Sequence, residues 1–349
     1  MFVTGRIPVF AGRYVAVLAA LGASFLAACS FSGKPTPATP ATNDARSASQ
    51  PSEARAARQH LYVANVSTIT VYGLDSPSVV RTISGVTPTS IAFDSLGKLY
   101  VANAVGAQQG TVAVYDKEAS SPRYQITTGI RFPNSLVLNA ARDLFVSNYY
   151  GTDYAYAPGK TTALYSMSNL FSVALALDTK GRLYVAQNQG PYGGGGGRVQ
   201  IHEQSTGKLL YTIKGTIQEP EAIALDASNN LYVANDGNVT VYGAGGTNLI
   251  RTLKGSLKAP HALAFDKSGK LYVADDAAST VTVYAPGRTK VVKTITKGLL
   301  RPAALAFDSA GNLYVANQSS VTEYAPSTLA LERTFTQGVK RPMTLAVGP

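Results

Sequence analysis

Short runs in which small and large apolar residues alternate, broken by Gly, Pro, Asn and Asp, fill the chain from residue 61 to its end. Residues 260–296 show the pattern most clearly. Pro260 has no amide hydrogen to donate and suits the first position of a strand. After it, Ala262 and Ala264 fall on one face and His261, Leu263 and Phe265 on the other. A face of small residues suits an innermost strand, where neighbouring sheets crowd together. Asp266-Lys267-Ser268-Gly269-Lys270 supplies a tight turn, Asp accepting turn amides and Gly adopting positive φ. A second strand is predicted over Leu271–Asp275, a third over Thr280–Tyr284 and an outermost one from about Lys290 to Ile295, all rich in β-branched and aromatic residues.

The second-strand signature Leu-Tyr-Val-Ala-Asn, or a close variant, begins at Leu61, Leu99, Leu144, Leu183, Leu231, Leu271 and Leu313, with successive copies 38 to 48 residues apart. That is the length of a four-stranded propeller blade. A proline-led inner-strand motif precedes later copies at Pro88, Pro133, Pro220, Pro260 and Pro302, and Ser172 replaces the proline in one repeat. Asn229 takes the place of the turn glycine in one repeat and tolerates the same conformation; Arg142 takes it in another, where the turn is expected to be distorted or of another type. The first signature has no inner strand before it, and the last inner strand, Pro342 to Val347, has no blade after it. Joining them completes a seventh blade and leaves no open edge. The predicted fold is all-β, a seven-bladed β-propeller of four-stranded blades over residues 59–349, closed by pairing of the C-terminal inner strand with the N-terminal strands.

The first 58 residues are different. Arg6 and Arg13 precede an apolar run from Tyr14 to Phe25 and then Leu26-Ala27-Ala28-Cys29, the layout of a secretory signal and too short for a membrane span. Leu-Ala-Ala-Cys resembles the bacterial lipobox, which implies a signal peptide over residues 1–28 and a lipid on Cys29, the one cysteine of the chain. Ser30 follows it, and in the lipoproteins that it resembles a non-acidic residue there permits export to the outer membrane. The expected location is therefore the bacterial cell envelope, with the lipid bilayer reached through Cys29. Residues 29–58 are rich in Ser, Pro, Thr and Ala and carry no apolar periodicity, so they are expected to form a disordered tether. Without a second cysteine there is no disulfide, and stability must come from the core and ring closure.

Charge changes the picture little at this level. The 349 residues carry 31 Lys and Arg against 20 Asp and Glu. The surplus appears as singletons along the sequence, such as Lys98, Arg182, Lys208, Lys214, Lys254 and Lys270, without the basic and aromatic face of a nucleic-acid binder. No nucleic-acid partner is expected.

The run Ala306 to Asn317, followed by Val321-Thr322-Glu323-Tyr324, resembles NHL-type and YVTN-type propeller repeats, a scaffold shared by binding platforms, lactonases and lyases. In such propellers the inner-strand starts and second-strand ends meet at one mouth of the central pore. Residues after the motif proline form one ring there, in which Asn134, Glu221 and His261 are strongly polar; Asn65, Asn103, Asn148, Gln187, Asn235, Asp275 and Asn317 form another. Repetition in every blade points to architecture for the second ring. The gluconolactonase family is similar in placing a divalent cation at this mouth. The resemblance makes Pro133-Asn134 a counterpart of its Asn element and Glu221 a stand-in for an acidic one, with Asp236, Asp275 and Asp276 as supplementary oxygen donors for Ca²⁺ or a similar ion. Val173 lies between these positions and departs from that pattern. No cofactor is certain. A zinc lyase of the amidating type would need converging histidines, whereas His60, His202 and His261 are placed far apart. The glycine run Gly193–Gly197 lacks the Lys-Ser/Thr of a phosphate loop, and with Tyr192, Tyr149 and Tyr150 it reads as a partner-contact surface on the same face. The expected function is a binding or scaffold module for an envelope protein, glycan or small molecule; the alternative is a metal-dependent lactonase-like hydrolase.

Overall fold

The computed structural model describes residues 59–106, 108–190, 196–246 and 248–349, and all regular structure within them is β. Residues 1–58, where a signal peptide, a lipidated Cys29 and a tether are expected, lie outside the described residues, as do Tyr192 and Gly193 to Gly195. Seven antiparallel four-stranded sheets form the blades of a seven-bladed β-propeller. Blade 1 carries both ends of the ring: its inner strand is Thr344–Gly348 and its second strand His60–Ala64, paired from His60 opposite Gly348 to Ala64 opposite Thr344. The inner strands of blades 2 to 7 are Pro88–Phe93, Pro133–Leu138, Ser172–Leu177, Ala222–Leu225, Pro260–Phe265 and Ala304–Phe307. Each packs beside its two neighbours, and that of blade 1 touches those of blades 7 and 2, so the ring closes as the repeats predict.

The core lies between blades. Tyr100 and Ala102 of blade 2, for example, pack with Leu136, Leu144 and Tyr156 of blade 3. Buried tyrosines also need a partner for the phenol. Second-strand tyrosines reach the aspartate that ends the inner strand, as Tyr184 does Asp178 at 3.2 Å and Tyr314 does Asp308 at 3.3 Å. Third-strand tyrosines donate to inter-blade linkers, as Tyr156 does to the Thr128 carbonyl at 2.8 Å. In blade 7 the buried Glu323 carboxylate accepts from Arg333 at 2.6 and 2.8 Å and from Tyr314 at 3.1 Å, while Arg333 also donates to the Leu74 carbonyl of blade 1.

One expectation is corrected. The Arg142 turn is of the same kind as the others. Asn139 Oδ1 accepts the Asp143 amide at 2.8 Å, as Asp266 Oδ1 accepts that of Lys270 at 2.9 Å, and Arg142 itself adopts a φ of 69°. The hydrogen-bonded turn holds an arginine in the left-handed region that favours glycine.

Candidate functional site: the pore mouth

Inner strands start, and second strands end, at the same face of the disc. The amide-bearing ring there is structural. Oδ1 of Asn65, Asn103, Asn148, Asn235 and Asn317 accepts the amide of Lys340, Thr87, Arg131, Gln218 and Leu300 respectively, tying each linker to the blade it enters. Asp275 does the same with a carboxylate: its oxygens accept the amides of Lys258, Ala259 and Ala278 at 2.6, 3.1 and 2.8 Å, and it is fully buried. That group is engaged by backbone and is not offered to a ligand.

Asn134 is likewise engaged. Its amide donates to the Ser172 carbonyl of the next blade at 3.2 Å, just as Thr89 donates to the Pro133 carbonyl at 2.5 Å. The two side chains stitch the inner strands of blades 2, 3 and 4.

Four acidic groups and a histidine do come together. Glu219, Glu221, Asp236, His261 and Asp276 line a recess of about 10 Å³ between blades 5 and 6, room for one water-sized group. His261 Nδ1 lies 3.7 Å from Glu221 Oε2, an ion-pair distance when the imidazole is protonated and long for a hydrogen bond. Asp276 accepts from Arg301 through both oxygens at 3.0 Å. Asp236 stands exposed at the edge. Among the described residues, no three His, Cys, Asp or Glu side chains are placed to hold a metal ion.

Beside this recess, over blades 3 and 4, stand four aromatic rings. Phe132 meets Tyr149 and Tyr150 at centroid distances of 6.3 and 5.9 Å; Tyr149 meets Tyr150 edge-on at 5.0 Å and Phe171 at 5.5 Å. All four are partly exposed. Burial, then Tyr150 and Glu221, raise the Tyr149 phenol above its ordinary pKa, which places the Glu221 carboxylate within electrostatic reach of the aromatic group. Phe132 and Phe171 immediately precede the first residue of their inner strands and hold φ values of 51° and 58°, a blade-entry conformation that Glu219, Arg301 and Arg341 share at 45°, 50° and 50° before Pro220, Pro302 and Pro342. Bulky residues are uncommon there. Their sequence position directly before Pro133 and Ser172 was the available signal, and the sequence reading passed over it, as it did Glu219.

A buried carboxylate supports the wall. Asp153 opens the third strand of blade 3, where the corresponding positions of other blades carry Ile69, Val112, Val199, Val239, Val281 and Val321. Its Oδ1 accepts the Asn148 amide at 2.8 Å, and its Oδ2 accepts from Asn169 and from the Ser172 hydroxyl, each at 2.8 Å. Asn148 and Ser172 adjoin Tyr149 and Phe171 in the chain. Serine therefore replaces the motif proline because a hydroxyl is needed to meet Asp153.

No family model matches this chain. No curated protein matches it either. Among solved structures it is similar to a protein of unknown function from Bacteroides caccae, with 14% identity, 84% of this chain and 99% of that chain covered, and a TM-score of 0.52. That likeness is one of fold alone.

Proposed function

We propose that this chain is a lipid-anchored, exported bacterial propeller of the NHL/YVTN kind that binds a hydroxyl-rich ligand, an envelope glycan, at its pore mouth. The aromatic wall of Phe132, Tyr149, Tyr150 and Phe171 beside Glu221 and His261 carries the reading. Aromatic faces cover the apolar C–H face of a sugar ring, and a carboxylate and an imidazole next to them accept and donate to its hydroxyls. Leu-Ala-Ala-Cys29 ahead of a Ser/Pro/Thr/Ala-rich segment supports the anchored location.

Calorimetric titration of the protein with envelope glycan fragments tests the ligand class. Binding by the native chain, weakened about tenfold or more in Tyr149→Ala and in Glu221→Gln, is the expected result. Equal binding by both variants, or binding of envelope proteins alone, overturns it. The lactonase-like reading is weaker because the mouth lacks a three-residue metal cluster among the described residues. It would require Ca²⁺, Mn²⁺ or Zn²⁺ to raise the melting temperature and Glu221→Ala to abolish that shift.

A further inference from the structure

The outer strands of blades 4, 5 and 6 are Leu209–Ile213, Leu249–Leu253 and Val291–Ile295. Each opens with a β-bulge. Leu210, Ile250 and Val292 are the extra residues, lying between partners that pair His202 with Leu209 and Ile201 with Tyr211, and likewise in the next two blades. A bulged residue is left out of the ladder and the strand twists away from its plane. These three are exposed at 49, 44 and 52%. They fall at equivalent register positions, occupied by Val80 in blade 1, Leu164 in blade 3 and Glu332 in blade 7, so the bulge itself recurs around the ring; Leu209, Leu249 and Val291 are exposed beside them. Outer strands run antiparallel to third strands, so the positions lie toward the end of the disc opposite the mouth. The described chain also begins at that end, at the start of the His60–Ala64 strand.

Charge singles out the same sector. The stretches 204–218, 243–259 and 285–300, which hold these outer strands and their flanks, contain no Asp or Glu. They contain nine basic residues: Lys208, Lys214, Arg251, Lys254, Lys258, Arg288, Lys290, Lys293 and Lys297. A surplus that looks scattered along the chain is thus concentrated on one side of the ring. Edge lysines alone deter edge-to-edge pairing. That role does not require acids to be absent, and in blade 2 Asp116 pairs with Lys98 and Arg123. Lys208, Arg288 and Lys290 lie at the same end of the disc as the bulges, Arg251 and Lys293 lie within the strands, and Lys214, Lys254, Lys258 and Lys297 follow the strands toward the mouth. Protruding aliphatic residues beside bases that have no acidic partner among the described residues have the composition of an interfacial membrane contact, in which the aliphatic groups enter the headgroup region and the bases meet anionic lipid.

We infer that the lower rim of blades 4 to 6 docks on the face of an anionic lipid bilayer, with Leu210, Ile250 and Val292 as the inserting side chains. The inference needs the envelope location proposed above only to bring a bilayer within reach. It does not depend on Cys29 or on what the mouth binds. Docking by this rim keeps the start of the described chain on the membrane side and turns the mouth away from the bilayer.

The chain contains no tryptophan, so a single introduced one is a clean reporter. Full-length protein carrying Cys29→Ser, to remove the acyl anchor, is made with Leu210→Trp, Val292→Trp or, on the far side of the ring, Val80→Trp. Each is mixed with vesicles of phosphatidylcholine alone or with phosphatidylglycerol at low salt. The expected result is a blue shift at positions 210 and 292 with the anionic vesicles only, reversed by salt, and none at position 80. Lys290→Glu/Lys293→Glu should reduce vesicle partition about tenfold or more while leaving the melting temperature near that of the parent. Attachment through the N-terminal segment alone would leave all three reporters unshifted and overturn the inference. So would equal shifts at all three positions, or binding to a soluble polyanion such as polyphosphate with no shift on vesicles.

Discussion

Asp153 is a charge-bearing group in a place built for an aliphatic one, and its environment works in two directions. Burial raises its pKa, and the Asn148 amide, Asn169 and Ser172 lower it by donating to the carboxylate; burial wins and pushes it to about 7. The ordinary value is 3.8, so the folded state holds the proton more tightly than the unfolded chain. Stability from this group is therefore fully present below about pH 4 and is lost as pH rises through about 7, at a limit of roughly 1.4 kcal/mol per unit of separation. Asp153→Asn keeps the shape and removes the titration. Thermal melts of both proteins from pH 4 to pH 8 should show the native chain losing stability relative to the variant as pH rises. Parallel curves would mean that Asp153 is ionised throughout and that its three donors outweigh burial.

At the scale of the strand, the motif prolines act through their neighbours. Gly110, near the start of the third strand of blade 2, lies against Pro133 of blade 3, and a Cβ there would sit 2.3 Å from the proline ring and 2.7 Å from the Asn103 carbonyl. Gly197 meets Pro220 in the same way, at 2.4 Å. Gly110→Ala should cost about 1–3 kcal/mol by overpacking and lower Tm by several degrees, whereas Gly190→Ala, with open space around it, should leave Tm unchanged. Matching melts for the two variants would remove the packing role. This pair also marks what the sequence made legible. Strands such as Leu271–Asp275 and Thr280–Tyr284 were readable to the residue, because period-two alternation and an Asp-to-Gly turn are local properties. The Arg142 turn was misread because the residue type argued against a conformation that its hydrogen bonds impose. Asn134 and Asp275 were readable as polar groups at the mouth but not as engaged ones, since their partners lie in the next blade or across a loop. Asp153 was visible as a break in a column of Val and Ile, but only once third strands are aligned by register. The aromatic wall was half visible: the Tyr149-Tyr150 pair stands out in the chain, while Phe132 and Phe171 are brought to it by the ring.

For the whole molecule the decisive element is a five-residue strand at the C-terminus. Thr344–Gly348 supplies the inner edge of blade 1, pairs along the full length of His60–Ala64 and packs against the inner strands of blades 7 and 2. Tyr62 adds a hydrogen bond to the Pro349 carbonyl at 3.0 Å, and Leu345 is buried at 1% exposure. Without it the ring has two open edges: the second strand of blade 1 loses its ladder, and the inner strands beside it lose a neighbour. The lost backbone pairs are worth about 1 kcal/mol each and the leucine roughly 2 kcal/mol more. Deleting residues 342–349 should therefore lower Tm by about 10 °C or more, or prevent folding altogether. Leu345→Ala leaves the strand in place and removes only its packing, so it should cost about 2–5 kcal/mol with cooperative melting retained. An unaltered melt after the deletion would mean that the seventh blade does not need its inner strand, and closure would then have to be assigned to the contacts between blades.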